Sequence, residues 1–500
     1  MGKSFAQGKK KVIVVGAGPG GLSSAMVLAA RGFDVTIHEK EPRIGGRCSA
    51  IKENGYTFDL GPTFVMLTQT FREVFELSGK RIEDYMELIP LDPLYKLHYK
   101  DGREFTVHYD KEKLRTEIER LFPGDSKGYD RYLKEQGKKF DVMYPCLKVH
   151  YDRWYHYLRP KLIRAFPYMD NFTSIYDVLS RYFTHEDMRI AMTFQAKYLG
   201  MSPWTCPGAF TILSYVEHAF GVFHVKGGVH MLCEGMAKAV TDLGATIKLS
   251  SPIKRLIVEG GRVQGVVFAD GREERADAVI MNADFAHGMK ELVAPEYRPR
   301  TTDKKLDSYE YSCSTYMLYL GIDGDTGHLP HHNIFFSGDY KKNIEQIFAG
   351  KLPEDPSFYI QNASVTDTSL APKGKSTLYV LVPVPNRASP LDWTKESGPL
   401  RERILDAIEK RAGITNIRGR FEVERIVTPL DWEQKASVFR GAVFNLAHTI
   451  GQMLYLRPHN RFEEIPGLYV AGGGTHPGSG LPTIVESGRI VADLICEDYK

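Results

Sequence analysis

Residues 11–32 read KVIVVGAGPGGLSSAMVLAARG, and residues 33–40 continue FDVTIHEK. Lys11 to Val15 is a β-branched apolar run with no alternation, the pattern of a parallel strand buried on both faces. Six residues rich in glycine follow, and then a helical stretch. Gly16, Gly18 and Gly21 hold the GxGxxG positions, with Ala17, Pro19 and Gly20 between them. In that pattern the first glycine makes the tight turn, the second lets backbone approach a pyrophosphate, and the third lets helix and strand pack closely. The helix start then offers free N–H groups and a positive dipole to phosphate. A second strand, Asp34 onward, ends in Glu39, 18 residues after Gly21. A carboxylate there accepts ribose hydroxyls and repels a 2′-phosphate, so a dinucleotide other than NADP is expected.

Working outward, EKEPRIGGRCS (residues 39–49) resembles the double-glycine motif of the two-dinucleotide-binding-domain flavoproteins, and DLGPT (residues 59–63) resembles their next flavin-contact segment. The resemblance implies non-covalent FAD, with Lys40, Gly45, Gly46, Arg47, Gly61, Pro62 and Thr63 joining Gly16, Gly18, Pro19, Gly20, Gly21 and Glu39 around it. It also places Ile253 beside the adenine and returns a strand ending at Asn282 to the nucleotide sheet. Gly260-Gly261 and Asp270-Gly271 are hairpin signals in between. Near the end, GLYVAGGGTHPGSGLP (residues 467–482) runs an apolar strand into a glycine-dense loop, with a helix expected from about Thr483. Gly473, Gly474, Gly480, Leu481 and Pro482 are the flavin candidates there. A helix start at that point stabilises negative charge on a reduced flavin.

The expected fold is α/β: a Rossmann-like FAD domain from residues 11–63, 226–290 and 455–500, interleaved with an α+β substrate domain from 64–225 and 291–454. A helical, membrane-facing cap is expected around 140–225. Between 151 and 172 the chain sets seven aromatic residues among Arg153, Arg159, Lys161 and Arg164, residue types that seat an element at a lipid headgroup layer. Residues 209–225 read equally as tunnel lining or as core helix.

Several classes find no support. Sixty-five basic residues against 62 acidic ones give a net charge of +3, no basis for nucleic acid as a partner. No second GxGxxG is present, so no separate NAD(P)H domain is expected. Cys48 has Glu53, not cysteine, five residues on, which removes disulfide-reductase chemistry. Six scattered cysteines fit a reducing compartment. His331 and His332 are adjacent and expected to point apart, so no metal set is expected. The start, MGKSFAQGKKK, lacks a secretory apolar region.

The last third narrows the reading. VTDTSLAPKGKSTLYVLVPVPN (365–386), LDWTKE (391–396) and RPHNRFEEIPGLYVAGGGTHPGSGLPTIVESGR (457–489) resemble the bacterial phytoene desaturase family of carotenoid biosynthesis. That resemblance implies FAD-dependent desaturation of a long isoprenoid hydrocarbon drawn from a membrane, with oxygen or a quinone as electron acceptor. It also implies a cytoplasmic protein peripheral on the inner face of the cell membrane. A carotenoid end-group oxidase, an isomerase, a retinol saturase-like enzyme, an amine oxidase or a flavin-bearing carrier stay open. No catalytic residue is assigned: Asp152, Arg153 and Asp170 are candidates for the proton acceptor, each read more readily as a solvated charge.

Overall fold

The computed structural model describes residues 9–499; the first eight residues, on which the leader reading partly falls, lie outside it. Lys11–Val15 (β1) sits at the centre of a five-stranded parallel sheet. Pro19–Ala30 (α1) leads to Asp34–His38 (β2) on one side of it, and Thr246–Lys248 (β3) extends that edge. On the other side lie Ala278–Met281 (β4) and Leu468–Val470 (β5). The order is therefore β5-β4-β1-β2-β3, and the chain reverses direction of growth at β1. In such sheets ligands bind at the carboxyl ends of the strands flanking the reversal. Both faces of β1 are covered, which is why its sequence is apolar without alternation: Val12, Ile13 and Val14 have no exposed surface.

The C-terminal helix Leu481–Asp498 (α2) lies along α1. Contact is close because a Cβ on Gly488 would stand 2.1 Å from the Gly20 carbonyl oxygen. The Ser23 hydroxyl donates to the Val485 carbonyl at 2.7 Å across the same seam. This helix begins two residues before the Thr483 start expected from sequence, because Pro482 falls in its first turn, where a missing N–H costs nothing.

A seven-stranded sheet forms the second layer system. Its order is Phe421–Val427, Ser314–Asp323, Lys375–Val384, Phe358–Gln361, His332–Phe335, Tyr95–His98 and Glu104–Val107, antiparallel except where His332–Phe335 meets Tyr95–His98. Residues 253–275 make a three-stranded meander turned at Gly260-Gly261 and Asp270-Gly271.

The aromatic segment, expected within a helical cap, consists of a six-residue α-helix, Pro160–Ala165, between the short 3-10 segments Trp154–Leu158 and Phe166–Tyr168. Trp154, Tyr155, Leu158, Ile163, Phe166 and Phe172 are all exposed. Among the described residues no helix is long and apolar enough to cross a membrane.

Candidate functional site

The carboxyl ends of β1, β2, β4 and β5 open on one continuous cavity of about 960 Å³ that runs on between the two sheets. Gly16, Gly18, Pro19, Glu39, Lys40, Gly45, Gly46, Arg47, Gly61, Pro62, Thr63, Ile253, Asn282, Gly473, Gly480, Leu481 and Pro482 all line it. Gly20, Gly21 and Gly474 are not among the lining residues, and each is closely packed. A Cβ on Gly21 would lie 2.4 Å from the Gly16 carbonyl oxygen, and one on Gly474 2.4 Å from Phe285 Cβ. Gly20 meets the Ile484 carbonyl and the Asn282 amide.

Gly16 has φ +98°, and its Cβ would stand 2.4 Å from the Asn282 carbonyl oxygen. Only glycine satisfies both conditions. Gly18 differs: its backbone is ordinary, and the space its side chain would fill is held by Asn282 Oδ1 at 2.9 Å. Asn282 therefore seats the glycine turn, while its Nδ2 donates to the Ala471 carbonyl at 3.0 Å and ties the C-terminal strand to the same point.

Two helix starts face this cavity with their N–H groups free. Helix α1 has Gly18 at its N-cap and α2 has Gly480; neither has a side-chain cap or an acid in its first turn. Uncapped N-termini are ready anion sites. The buried Glu39 carboxylate accepts from Ala17 N at 2.8 Å and Glu41 N at 3.0 Å, which fixes its orientation at the wall. Arg47 donates to the Val443 carbonyl at 3.1 Å and lies 3.8 Å from buried Asp284. Burial raises the Asp284 carboxyl, against the pull of Arg47.

Side chains that sequence reasoning passed over hold these segments together. Asp59 accepts from Val229 N at 2.8 Å and His230 N at 2.9 Å, joining the DLGP segment to the returning loop. Arg457, with almost no exposed surface, donates to the Gly473 carbonyl at 2.6 Å, Thr475 at 2.9 Å and Gln452 at 3.1 Å. Burial lowers this guanidinium to about 9.

Beyond the nucleotide end the walls become apolar and aromatic, with Phe64, Phe194, Tyr198, Ile334, Phe358 and Tyr359 among them. The 209–225 stretch proves to be both things its sequence allowed: Glu217 and Val222 line the cavity, while Ile212, Val216 and Val225 are core.

None of the cap candidates for a proton acceptor lines the cavity; Arg153 is exposed, while Asp152 and Asp170 are paired rather than solvated. Asp152 is buried; Arg461 pairs with it and His150 Nδ1 lies 2.7 Å away, and these partners hold its carboxyl well below the usual range against the upward push of burial. Asp170 pairs with Lys139 and Arg181, both at 2.9 Å. His150, Asp152 and His156 gather one ligand-type atom each within 4.8 Å, a grouping the sequence reading did not foresee. Nor do His331 and His332 point apart: their ring centroids are 4.4 Å apart, because His331 precedes the strand in which alternation applies.

A parallel nucleotide sheet, two uncapped helix starts and a long apolar extension define a flavin-dependent oxidoreductase. The sequence pattern of the flavin containing amine oxidoreductases matches residues 19–496. A 4,4'-diapophytoene desaturase (4,4'-diapolycopene-forming) of Methylomonas sp. is 49% identical, over 98% of this chain and 96% of that protein. A lycopene-forming phytoene desaturase of Pseudescherichia vulneris is 35% identical over 98% of this chain and all (100%) of that one. The fold is that of an oxidoreductase from Methanosarcina mazei, with a TM-score of 0.64 at 17% identity, covering 97% of this chain and 100% of the other. The chain belongs to the flavin containing amine oxidoreductase family and, within it, to the bacterial phytoene desaturases.

Proposed function

We infer that this protein is an FAD-dependent carotenoid desaturase whose substrate is a C30 hydrocarbon of the diapophytoene type. One observation carries the reading: the cavity that begins at the two uncapped helix starts continues without interruption between aromatic and aliphatic walls. The C30 assignment follows the relative at 49% identity, against 35% for the lycopene-forming one.

When bound, FAD supplies hydride acceptance, the hard step of removing hydrogen from a saturated bond. The chain's residues do the rest. The first helix start and the Gly16-to-Gly21 turn would hold the pyrophosphate, Glu39 the ribose, and the segments at 45–47 and 61–63 the flavin side of the molecule. The start of α2 at the cavity wall would present its positive end to a bound flavin. The apolar walls align the hydrocarbon and exclude water; few polar groups are needed where the substrate offers no hydrogen bonds. Oxygen or a quinone takes the electrons onward.

Incubation without oxygen, with defined C30 and C40 precursors, tests this. The expected result is bleaching of the bound flavin and a product lighter by two hydrogens per step. A product that has gained oxygen, or has unchanged mass, would remove the desaturase reading.

Access to such a substrate points to a membrane surface, on its inner face. The support is the exposed segment: Trp154 is 66% exposed, Phe166 63% and Phe172 91%, with Arg153, Lys161 and Arg164 exposed beside them. Replacing the three rings with serine should weaken sedimentation with anionic liposomes about a thousandfold, from roughly 4 kcal/mol of lost apolar burial. Flavin content should not change. Undiminished sedimentation of the triple variant would argue against this surface.

A further inference from the structure

Removing hydrogen from two adjacent carbons leaves a proton that must be accepted inside an apolar pocket. Glu217 stands on the Ile212–Phe220 helix with no exposed surface, and it lines the cavity. Its Oε2 accepts from Gln195 Nε2 at 2.8 Å and from the Tyr95 hydroxyl at 3.2 Å. Its Oε1 makes no hydrogen bond within 3.5 Å among the described residues, although the Tyr198 hydroxyl is near enough to pull the carboxyl down. A buried carboxylate oxygen without a donor is costly, and at the wall of a binding cavity that cost points to a ligand-facing role.

We propose that Glu217 Oε1 takes the proton released in desaturation, and that Tyr95, His218 and Tyr129 carry that proton away from the cavity. The proposal rests on the desaturase reading above. One carbon loses its hydrogen with the bonding pair, as the hydride that FAD accepts. The neighbouring carbon loses its hydrogen as the proton; the electron pair of that C–H bond becomes the new π bond, and the proton forms the O–H bond on Glu217.

An exit route is present. The Tyr95 hydroxyl lies 3.1 Å from His218 Nε2, and His218 Nδ1 lies 2.9 Å from the Tyr129 hydroxyl. Burial lowers His218 to about 3, so its ring is neutral, with one nitrogen able to accept while the other donates. Tyr129 belongs to the Asp125–Leu147 helix, where its neighbour Asp130 is exposed.

Burial raises Glu217 to about 7, outweighing the donors around it. A base with that value is both ionised and able to hold a proton near neutral pH. The groups facing it are Tyr95, Tyr198 and His218, which burial keeps uncharged. Lys197, on the same cavity, is lowered to about 7 by burial and sits 4.7 Å from the Tyr340 ring centroid. Because it titrates in the same range, the test must separate the two.

The FAD-loaded protein is mixed without oxygen with diapophytoene in liposomes, and flavin bleaching is followed. Wild-type bleaching should speed up as pH rises through about 7. Glu217→Gln should bind the polyene unchanged but bleach about 10²- to 10⁴-fold more slowly, without that pH limb. In FAD-loaded wild type without substrate, an infrared carboxylic-acid band should titrate near the same pH and be missing in the variant. Wild-type rates in Glu217→Gln, or loss of bleaching in Lys197→Met alone, would overturn the assignment. If the variant does not fold, absence of the titrating band in wild type overturns it. Wild-type protein that never bleaches with either C30 or C40 precursor rejects the desaturase reading instead, so the two failures are told apart.

Discussion

Gly16→Val should come off a purification column without flavin. The residue has φ +98°, a region that a β-branched side chain does not tolerate, and its Cβ would stand 2.4 Å from the Asn282 carbonyl oxygen. Neither side can yield. Asn282 N donates to the Val15 carbonyl at 2.8 Å, so the oxygen belongs to backbone locked at the ends of β1 and β4. Relief requires prising those strands apart at the cavity mouth, a loss of about 4 kcal/mol or more. Gly18→Ala is the informative contrast. Its φ is −77°, and the atom in the way is the tip of the Asn282 side chain, which can rotate. FAD affinity there should fall only about tenfold, roughly 1.4 kcal/mol. Absorbance of the flavin per chain, with thermal melting in parallel, reads both. A yellow, normally melting Gly16→Val protein would mean that the turn at β1 does not hold the nucleotide.

That contrast shows what the sequence could and could not supply. The turn, the acid after β2 and the hairpin glycines were legible because each depends on a handful of neighbouring residues. The packing of Asn282 against Gly18 was not, because the two are 264 residues apart. Asp59 belongs to a segment whose local sequence resembles a flavin contact; its bonds to Val229 and His230 exist only through the fold. Glu217 looked like one charge in an apolar run, and nothing local told burial at a cavity wall from exposure on a helix. Composition identified the aromatic segment as unusual, but prolines at 160 and 167 restart the chain there, so its helical pieces are too short to show a periodicity. The alternation rule failed at His331 and His332 for a related reason: it holds inside a strand and not at its entry.

Arg457 is where the second large effect is expected. A guanidinium with almost no exposed surface would ordinarily face a carboxylate; this one faces carbonyl oxygens of residues 473, 475 and 452. Asn460 adds bonds to the His476 carbonyl and the Ser487 hydroxyl, both at 3.0 Å. Together they fix the glycine-dense loop between β5 and α2, a loop whose own residues have few side chains to pin it. Arg457→Met keeps the volume and the apolar stem but leaves those carbonyls buried without donors. At about 1–3 kcal/mol for each unsatisfied group, partly relieved by relaxation, a net loss of about 3 kcal/mol is expected. The loop carries Gly473 and Gly480 at the cavity wall, so flavin affinity should fall with stability. Arg457→Lys should rescue only part of this, since a single ammonium tip cannot span a forked set of acceptors. Melting temperature and flavin retention should therefore rank wild type above lysine above methionine. A methionine variant that matches wild type in both would show that the loop holds its shape without this anchor, and that the start of α2 is positioned by its packing on α1 alone.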